Sequence, residues 1–282
     1  MRIYRDQTEL PECFRAAAMV LGNFDGVHLG HAALIQQARA LSDRVGVLTF
    51  SPHPRLVVQP AVAPFLITPG GARMAALAHL GVDFCIEVTF DLALAAMPAE
   101  VFVSGIVANT NARHLVFGQD FRFGHKRGGD SALLKRLESR HGFTTHAVAP
   151  VLDDNGERYS SSAVRAFLRA GDVEGATRCL GRRWMLDIGP HALSAHDGTN
   201  LVFRFGPCLK PAGGFYSVQL EGAATGDAVL RVEEGDDLGR LHLTDGSMNH
   251  GQSLRLAFQG YLGPARGAEA SRSRRDAQPV AQ

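Results

Sequence analysis

Short apolar runs alternate with helically spaced stretches through the first 150 residues, and this alternation restricts the fold more than any other property of the chain. The runs lie at 18–21, 46–50, 84–88, 114–117 and 145–149. Between them, 32–41, 72–80, 99–108 and 131–141 place apolar residues at three- and four-residue intervals, the spacing of a helix with one buried face. Asp130 is a plausible N-cap for the last of these helices and Gly142 a plausible stop. Strands separated by helices cannot pair as hairpins, so the pattern predicts an α/β fold: a parallel sheet with helices on both faces. Helical spacing continues at 162–168 and 173–180 and ends at Gly181. Beyond that point Gly and Pro become frequent, and short runs at 201–205, 215–220, 228–232 and 254–258 predict a small antiparallel barrel or sandwich.

At 282 residues the chain has room for two modest domains. A formal net charge of +1 argues against a nucleic-acid surface, which needs a strongly basic face. No apolar stretch approaches the length of a membrane span, and Met1 to Gln7 lack a secretory h-region, so a cytoplasmic protein is expected. Cys13, Cys85, Cys179 and Cys208 are scattered and form no metal-ligand spacing; reduced thiols and no protein-bound metal are expected. Residues 265–282 are polar and arginine-rich with no hydrophobic face, the composition of a disordered tail. Nothing in the sequence fixes an oligomeric state.

Leu21-Gly22-Asn23-Phe24-Asp25-Gly26-Val27-His28-Leu29-Gly30-His31 stands at the first strand-to-helix junction. Unpaired backbone N–H groups and the positive end of a helix favour phosphate there. Glycines allow a tight turn and a close ligand approach, and two histidines can donate hydrogen bonds to phosphoryl oxygens without a metal. Thr49-Phe50-Ser51-Pro52-His53-Pro54 closes the second strand; the two prolines stiffen a loop that serves equally well as a plain turn or as a site wall. Gly118-Gln119-Asp120-Phe121-Arg122-Phe123-Gly124 follows the fourth strand. Phe121 and Phe123 either pack this loop onto the core or offer flat surfaces to a planar ring whose edge Asp120 orients. Arg158-Tyr159-Ser160-Ser161-Ser162-Ala163-Val164-Arg165 opens a helix with hydroxyls. Ser160 or Ser161 could simply cap it; together with Arg158 and Arg165 the serines also match what a polyphosphate needs. Arg165 lies one turn from Ser161 on the same face.

These four segments, in this order and spacing, resemble the nucleotidyltransferase module of bacterial FAD synthetases, the bifunctional riboflavin kinase/FMN adenylyltransferases. The likeness continues through Arg169-Ala170-Gly171-Asp172 and Leu180-Gly181-Arg182 and spans roughly residues 15–182. Ser162 stands where the family usually has threonine and Val164 where it has isoleucine. The resemblance implies a Rossmann-like domain over 1–182 that transfers AMP from ATP to FMN, giving FAD and pyrophosphate. It implies His28, His31 and Arg165 as catalytic residues. ATP would lie against Gly22, Asn23, Phe24, Asp25, Gly26, Arg158, Ser161 and Ser162, and the flavin against Pro54, Asp120, Phe121 and Phe123. Mg²⁺ would arrive with ATP.

Residues 183–264 resemble the riboflavin kinase barrel of the same family, at 210–218, 241–245 and 254–258, but depart from it where its chemistry lies. Asp197-Gly198-Thr199-Asn200 keeps the asparagine of the kinase signature and puts Gly198 where a metal-binding threonine belongs. The loop before it shrinks to Ile188-Gly189-Pro190-His191, and Arg240 occupies the place of the catalytic glutamate. A guanidinium cannot act as a base at neutral pH, so a degenerate kinase domain is expected. Two other functions fit the same residues: a non-catalytic flavin- or nucleotide-binding regulator, and a nucleotidyltransferase with a different phosphorylated acceptor. Retention of both phosphate-gripping segments disfavours the first, and retention of 120–124 disfavours the second.

Overall fold

The computed structural model describes residues 1–61, 63–189, 193–196, 199–222, 224–248 and 253–264. Backbone contacts divide it into two units, Met1–Ala63 with Arg73–Ser160, and Pro64–Ala72 with the chain from Ser161 onward. In chain order the elements of the first are β1 (Arg2–Tyr4), β2 (Ala18–Leu21), α1 (Leu29–Leu41), β3 (Val45–Ser51), α2 (Pro54–Val58), α3 (Gly70–His79, which begins before Arg73), β4 (Phe84–Thr89), α4 (Leu92–Ala95), α5 (Ala99–Thr110), β5 (His114–Gly118), α6 (Ser131–His141) and β6 (Thr144–Val148). The strands form one six-stranded sheet in the order β1-β4-β3-β2-β5-β6, and every pairing is parallel.

Side chains alternate between the faces of this sheet, as the strand period of two requires. Met19, Leu21, Leu48, Phe50, Phe84, Ile86, Leu115 and Phe117 join one core, closed by Phe102, Val103, Ile106 and Val107 of α5 and Leu134 and Leu137 of α6. Ala18, Val20, Val45, Val47, Cys85 and Val116 enter the other, closed by Leu34, Ile35 and Ala38 of α1 and Met74, Ala76 and Leu77 of α3. Helices therefore cover both faces, the arrangement read from the alternation. Asp130 caps α6 by accepting from the Leu133 N–H at 3.0 Å, and Gly142 ends it in the left-handed region at φ 73°.

The second unit carries α7 (Ser161–Ala170), α8 (Val173–Leu180), β7 (Met185–Ile188), β8 (Leu193–His196), β9 (Asn200–Arg204), β10 (Gly214–Gly222), β11 (Ala224–Val232), β12 (Leu238–Leu243), β13 (Ser247–Met248) and β14 (Leu254–Gly263). Its strands make an antiparallel sheet in the order β7-β14-β10-β11-β12-β9-β8, with β13 added beside β11. The sheet curls as an open half-barrel between the edge strands β7 and β8. Buried Tyr216, Val218 and Leu220 alternate along β10, and Trp184 stacks on Phe258 at 4.2 Å. Segment Pro64–Ala72 is strapped onto this unit. The Trp184 indole N–H donates to the Ile67 carbonyl at 2.8 Å, and the Leu209 N–H donates to the Leu66 carbonyl at 2.8 Å. Pro190, His191, Asp197, Gly198 and the tail 265–282 lie outside the described residues.

Candidate active site

In the parallel sheet the strand order reverses between β2 and β5: from β2 the chain moves to β3 and β4, then crosses back to β5 on the other side. Loops leaving the carboxyl ends of the strands at such a point cannot close over one another, and the crevice between them receives ligands. The two loops there are Gly22–His28 after β2 and the segment from Gln119 after β5.

The first loop is tightly wound. Phe24, Gly26 and Val27 have φ values of 53°, 87° and 47°. The left-handed region costs a glycine nothing, but a β-branched valine is strained there. Such strain amounts to about 1–3 kcal/mol and persists only where packing enforces it. Here the packing is visible, since Phe24 and Val27 are buried in the α1 face of the core. The turn delivers His28 to the N-cap position of α1 and His31 to its first turn. The two imidazoles stack with ring centroids 3.8 Å apart, and the Phe24 ring backs His31 at 4.9 Å. His28 is buried, His31 half-buried and Asn23 exposed. Gly30 is closely packed: a Cβ there would lie 3.0 Å from the His28 ring and 3.1 Å from the Tyr159 carbonyl oxygen, so a neighbour would have to give by a few tenths of an ångström.

A buried polar cluster that the sequence reading did not find lies under this loop. Thr49 Oγ1 donates to the Asn23 carbonyl at 3.0 Å. Arg73 reaches the same carbonyl and pairs with Glu87 at 2.6 Å. The signal for it was Glu87, one carboxylate within the apolar run of β4; a charge buried in a strand needs a cation beside it.

The aromatics of the second loop differ in burial. Phe123 is buried in the α5–α6 core and packs on Phe102 at 6.0 Å. Phe121 is half-buried and stacks on Phe123 at 5.2 Å with 19° between planes. Asp120 is exposed and accepts a 2.7 Å hydrogen bond from Arg158 Nη2, so two side chains read as contacting different substrates meet each other. Pro54 is the first residue of the short helix α2, capped by His53 Nδ1, which accepts from the Arg55 N–H at 3.1 Å. In the second unit, Ser161 and Ser162 open α7, and Arg165 donates from Nε to the Phe65 carbonyl at 2.9 Å with its guanidinium 5.3 Å above the Phe65 ring. That bond and the ring fix the stem of Arg165.

The family model for FAD synthetase matches residues 10–163, more than half of the chain. The chain belongs to the FAD synthetase family. Members are nucleotidyltransferases, and the matched span holds the histidine loop, the Asp120 loop and the first residues of α7. An FAD synthetase of Listeria monocytogenes is 35% identical over 176 residues, covering 61% of this chain and 71% of that protein. Bifunctional riboflavin kinase/FMN adenylyltransferases of Pseudomonas fluorescens and Escherichia coli are each 36% identical, covering 64% and 58% of this chain. Of those two proteins' own lengths the match spans only 60% and 53%. The crystal structure of a macrolide-efflux protein from Streptococcus pneumoniae superposes with a TM-score of 0.75 over 98% of this chain and 96% of its own, at 20% identity, a likeness of fold alone.

In the antiparallel unit of this FAD synthetase family member, Arg240 on β12 donates to Asp236 at 2.9 Å and lies 3.5 Å from Glu233. The guanidinium holds the Asp236 carboxyl below the usual carboxylate range. Asn200 on β9 faces His242 on β12 at 2.9 Å. No helix among the described residues is long and apolar enough to cross a membrane.

Proposed function

We propose that this chain transfers the adenylyl group of ATP to FMN. A phosphate oxygen of FMN attacks the α-phosphorus in line, the bond from that phosphorus to the bridging oxygen breaks, and FAD and pyrophosphate result. No covalent intermediate with the protein is needed; the demands are positioning and stabilisation of charge on the α-phosphate. His28 and His31 donate hydrogen bonds to the α-phosphate oxygens at the helix N-terminus. Gly22, Asn23, Phe24, Asp25 and Gly26 shape the nucleotide loop. Arg165, Ser161 and Ser162 hold the departing pyrophosphate, with Arg158 in support. Pro54, Asp120, Phe121 and Phe123 serve the flavin; as Phe123 is committed to the core, its part is to back Phe121. Mg²⁺ enters as part of Mg-ATP. The observation that carries this reading is the stacked pair His28 and His31 beside the sheet's switch point, in a chain of this family.

Residues 1–182 form the transferase module in this reading and 183–264 a kinase-like barrel that has lost its phosphoryl transfer. Support comes from Arg240, whose two carboxylate neighbours keep a cation where the related kinases have a base. A cytoplasmic setting suits the four cysteines, none of which forms a disulfide. The test is to incubate the protein with Mg-ATP and FMN and to separate the products. FAD with pyrophosphate is expected, and His31→Ala should lower kcat by about a hundredfold or more while leaving the thermal midpoint within a few degrees. Tight FMN binding without product would instead identify a flavin-binding regulator, and a His31→Ala variant as fast as wild type would overturn the site.

A further inference from the structure

The Asn23 carbonyl marks the point where the chain leaves β2 for the histidine loop. Two donors from different elements converge on it: Thr49 Oγ1 of β3 at 3.0 Å and Arg73 Nη1 of α3 at 3.3 Å. The same guanidinium donates from Nη2 to the Phe50 carbonyl at 3.2 Å and to Glu87 Oε1 at 2.6 Å. Arg73 and Glu87 are 6% and 5% exposed, and Arg5 pairs with Glu87 from its outer side. A planar fork of fixed donors can span two carbonyls and a carboxylate; a lysine, with one compact ammonium, cannot cover all three in the same way.

A buried ion pair is weak grounds for stability, because apolar residues of similar volume often replace one at no cost. The position of this pair is more informative. It fixes the entry of the loop, the next residue is Phe24, and the Phe24 ring backs His31, which stacks on His28. We infer that Arg73, itself oriented by Glu87, is a positioning residue for adenylyl transfer: by clamping the Asn23 carbonyl it sets the Phe24–His31–His28 stack. The inference rests on the adenylyl-transfer reading and touches no substrate directly.

The test is the double variant Arg73→Met/Glu87→Leu, which removes the clamp without leaving an unpaired buried charge; exposed Arg5 is solvated. Its thermal midpoint should stay within a few degrees of wild type. With FMN as acceptor, kcat should fall at least tenfold while KM for ATP changes less than threefold. Amide hydrogen exchange across residues 22–31 should accelerate at least tenfold, with exchange in β3 and β4 unchanged. Arg73→Lys alone, which keeps the charge beside Glu87 and reaches one carbonyl, should recover part of both losses. A folded double variant with wild-type kcat and wild-type exchange overturns the inference. If the double variant does not fold, Arg73→Lys decides: intermediate kcat and faster exchange at 22–31 support the clamp, and wild-type values for both overturn it. A wild-type protein that makes no FAD would refute the functional reading instead, and exchange at 22–31 would still judge the clamp.

Discussion

Gly30 separates what a residue does for folding from what it does for the site. It occupies the first turn of α1, where alanine is a better helix former by about 1 kcal/mol. Yet a Cβ there meets the His28 ring at 3.0 Å, so the ring or the turn must give way. Gly30→Ala is therefore expected to melt within a few degrees of wild type while FAD formation slows by about tenfold or more, since small displacements of a positioning group are costly to rate. Steady-state kinetics beside a thermal melt checks this, and unchanged kcat would mean that His28 tolerates the shift. At this scale the turn was readable from residue type and spacing: the glycines around His28 and His31 announce a tight strand-to-helix junction, and Gly26 takes a φ of 87° there. Arg73 was not readable, because an arginine in the first turn of an amphipathic helix looks like a solvated residue. Only the fold brings it against Asn23 and Glu87. The aromatics of the Asp120 loop were ambiguous for the same reason, since their burial depends on the fold, which buries Phe123 and leaves Phe121 partly exposed.

Among the elements, the strands with continuous apolar runs were legible because a parallel sheet covered on both faces demands apolar residues throughout. β1 was not, since Arg2-Ile3-Tyr4 is three residues long, mostly exposed and joined only to β4 at the sheet edge. The strap at Pro64–Ala72 escaped notice because a stretch held by the Trp184 indole and by backbone bonds has no periodic signature. Capping was readable, and α6 offers a test of it. The Leu133 N–H holds the Asp130 carboxyl below the usual carboxylate range. A depressed folded pKa means that the cap contributes above the unfolded pKa and loses its contribution as pH falls through the folded value. Asp130→Ala is thus expected to lower the thermal midpoint at pH 7, with the difference from wild type shrinking as pH falls below the ordinary carboxylate range. Melts across a series of acidic pH values check it; a difference that stays constant would assign the effect to something other than the charged cap.

Across the whole molecule, a parallel sheet carries the histidine loop and an antiparallel sheet builds the second unit. The change from alternating helices and strands to short strands after Gly181 was visible in the sequence. The grouping of Pro64–Ala72 and α7–α8 with the antiparallel unit was not, because it depends on contacts between residues about a hundred positions apart, such as Arg165 and Phe65. In the antiparallel unit Arg240 is held by Asp236 and Glu233, and the proposed loss of kinase chemistry predicts that riboflavin is not an acceptor. The most direct measurement sets the two acceptors side by side: the protein with Mg-ATP and either FMN or riboflavin, with products separated by chromatography. FAD from FMN, and neither FMN nor FAD from riboflavin, is the expected result. FMN appearing from riboflavin would contradict the loss of kinase chemistry, and an absence of FAD from FMN would contradict adenylyl transfer itself.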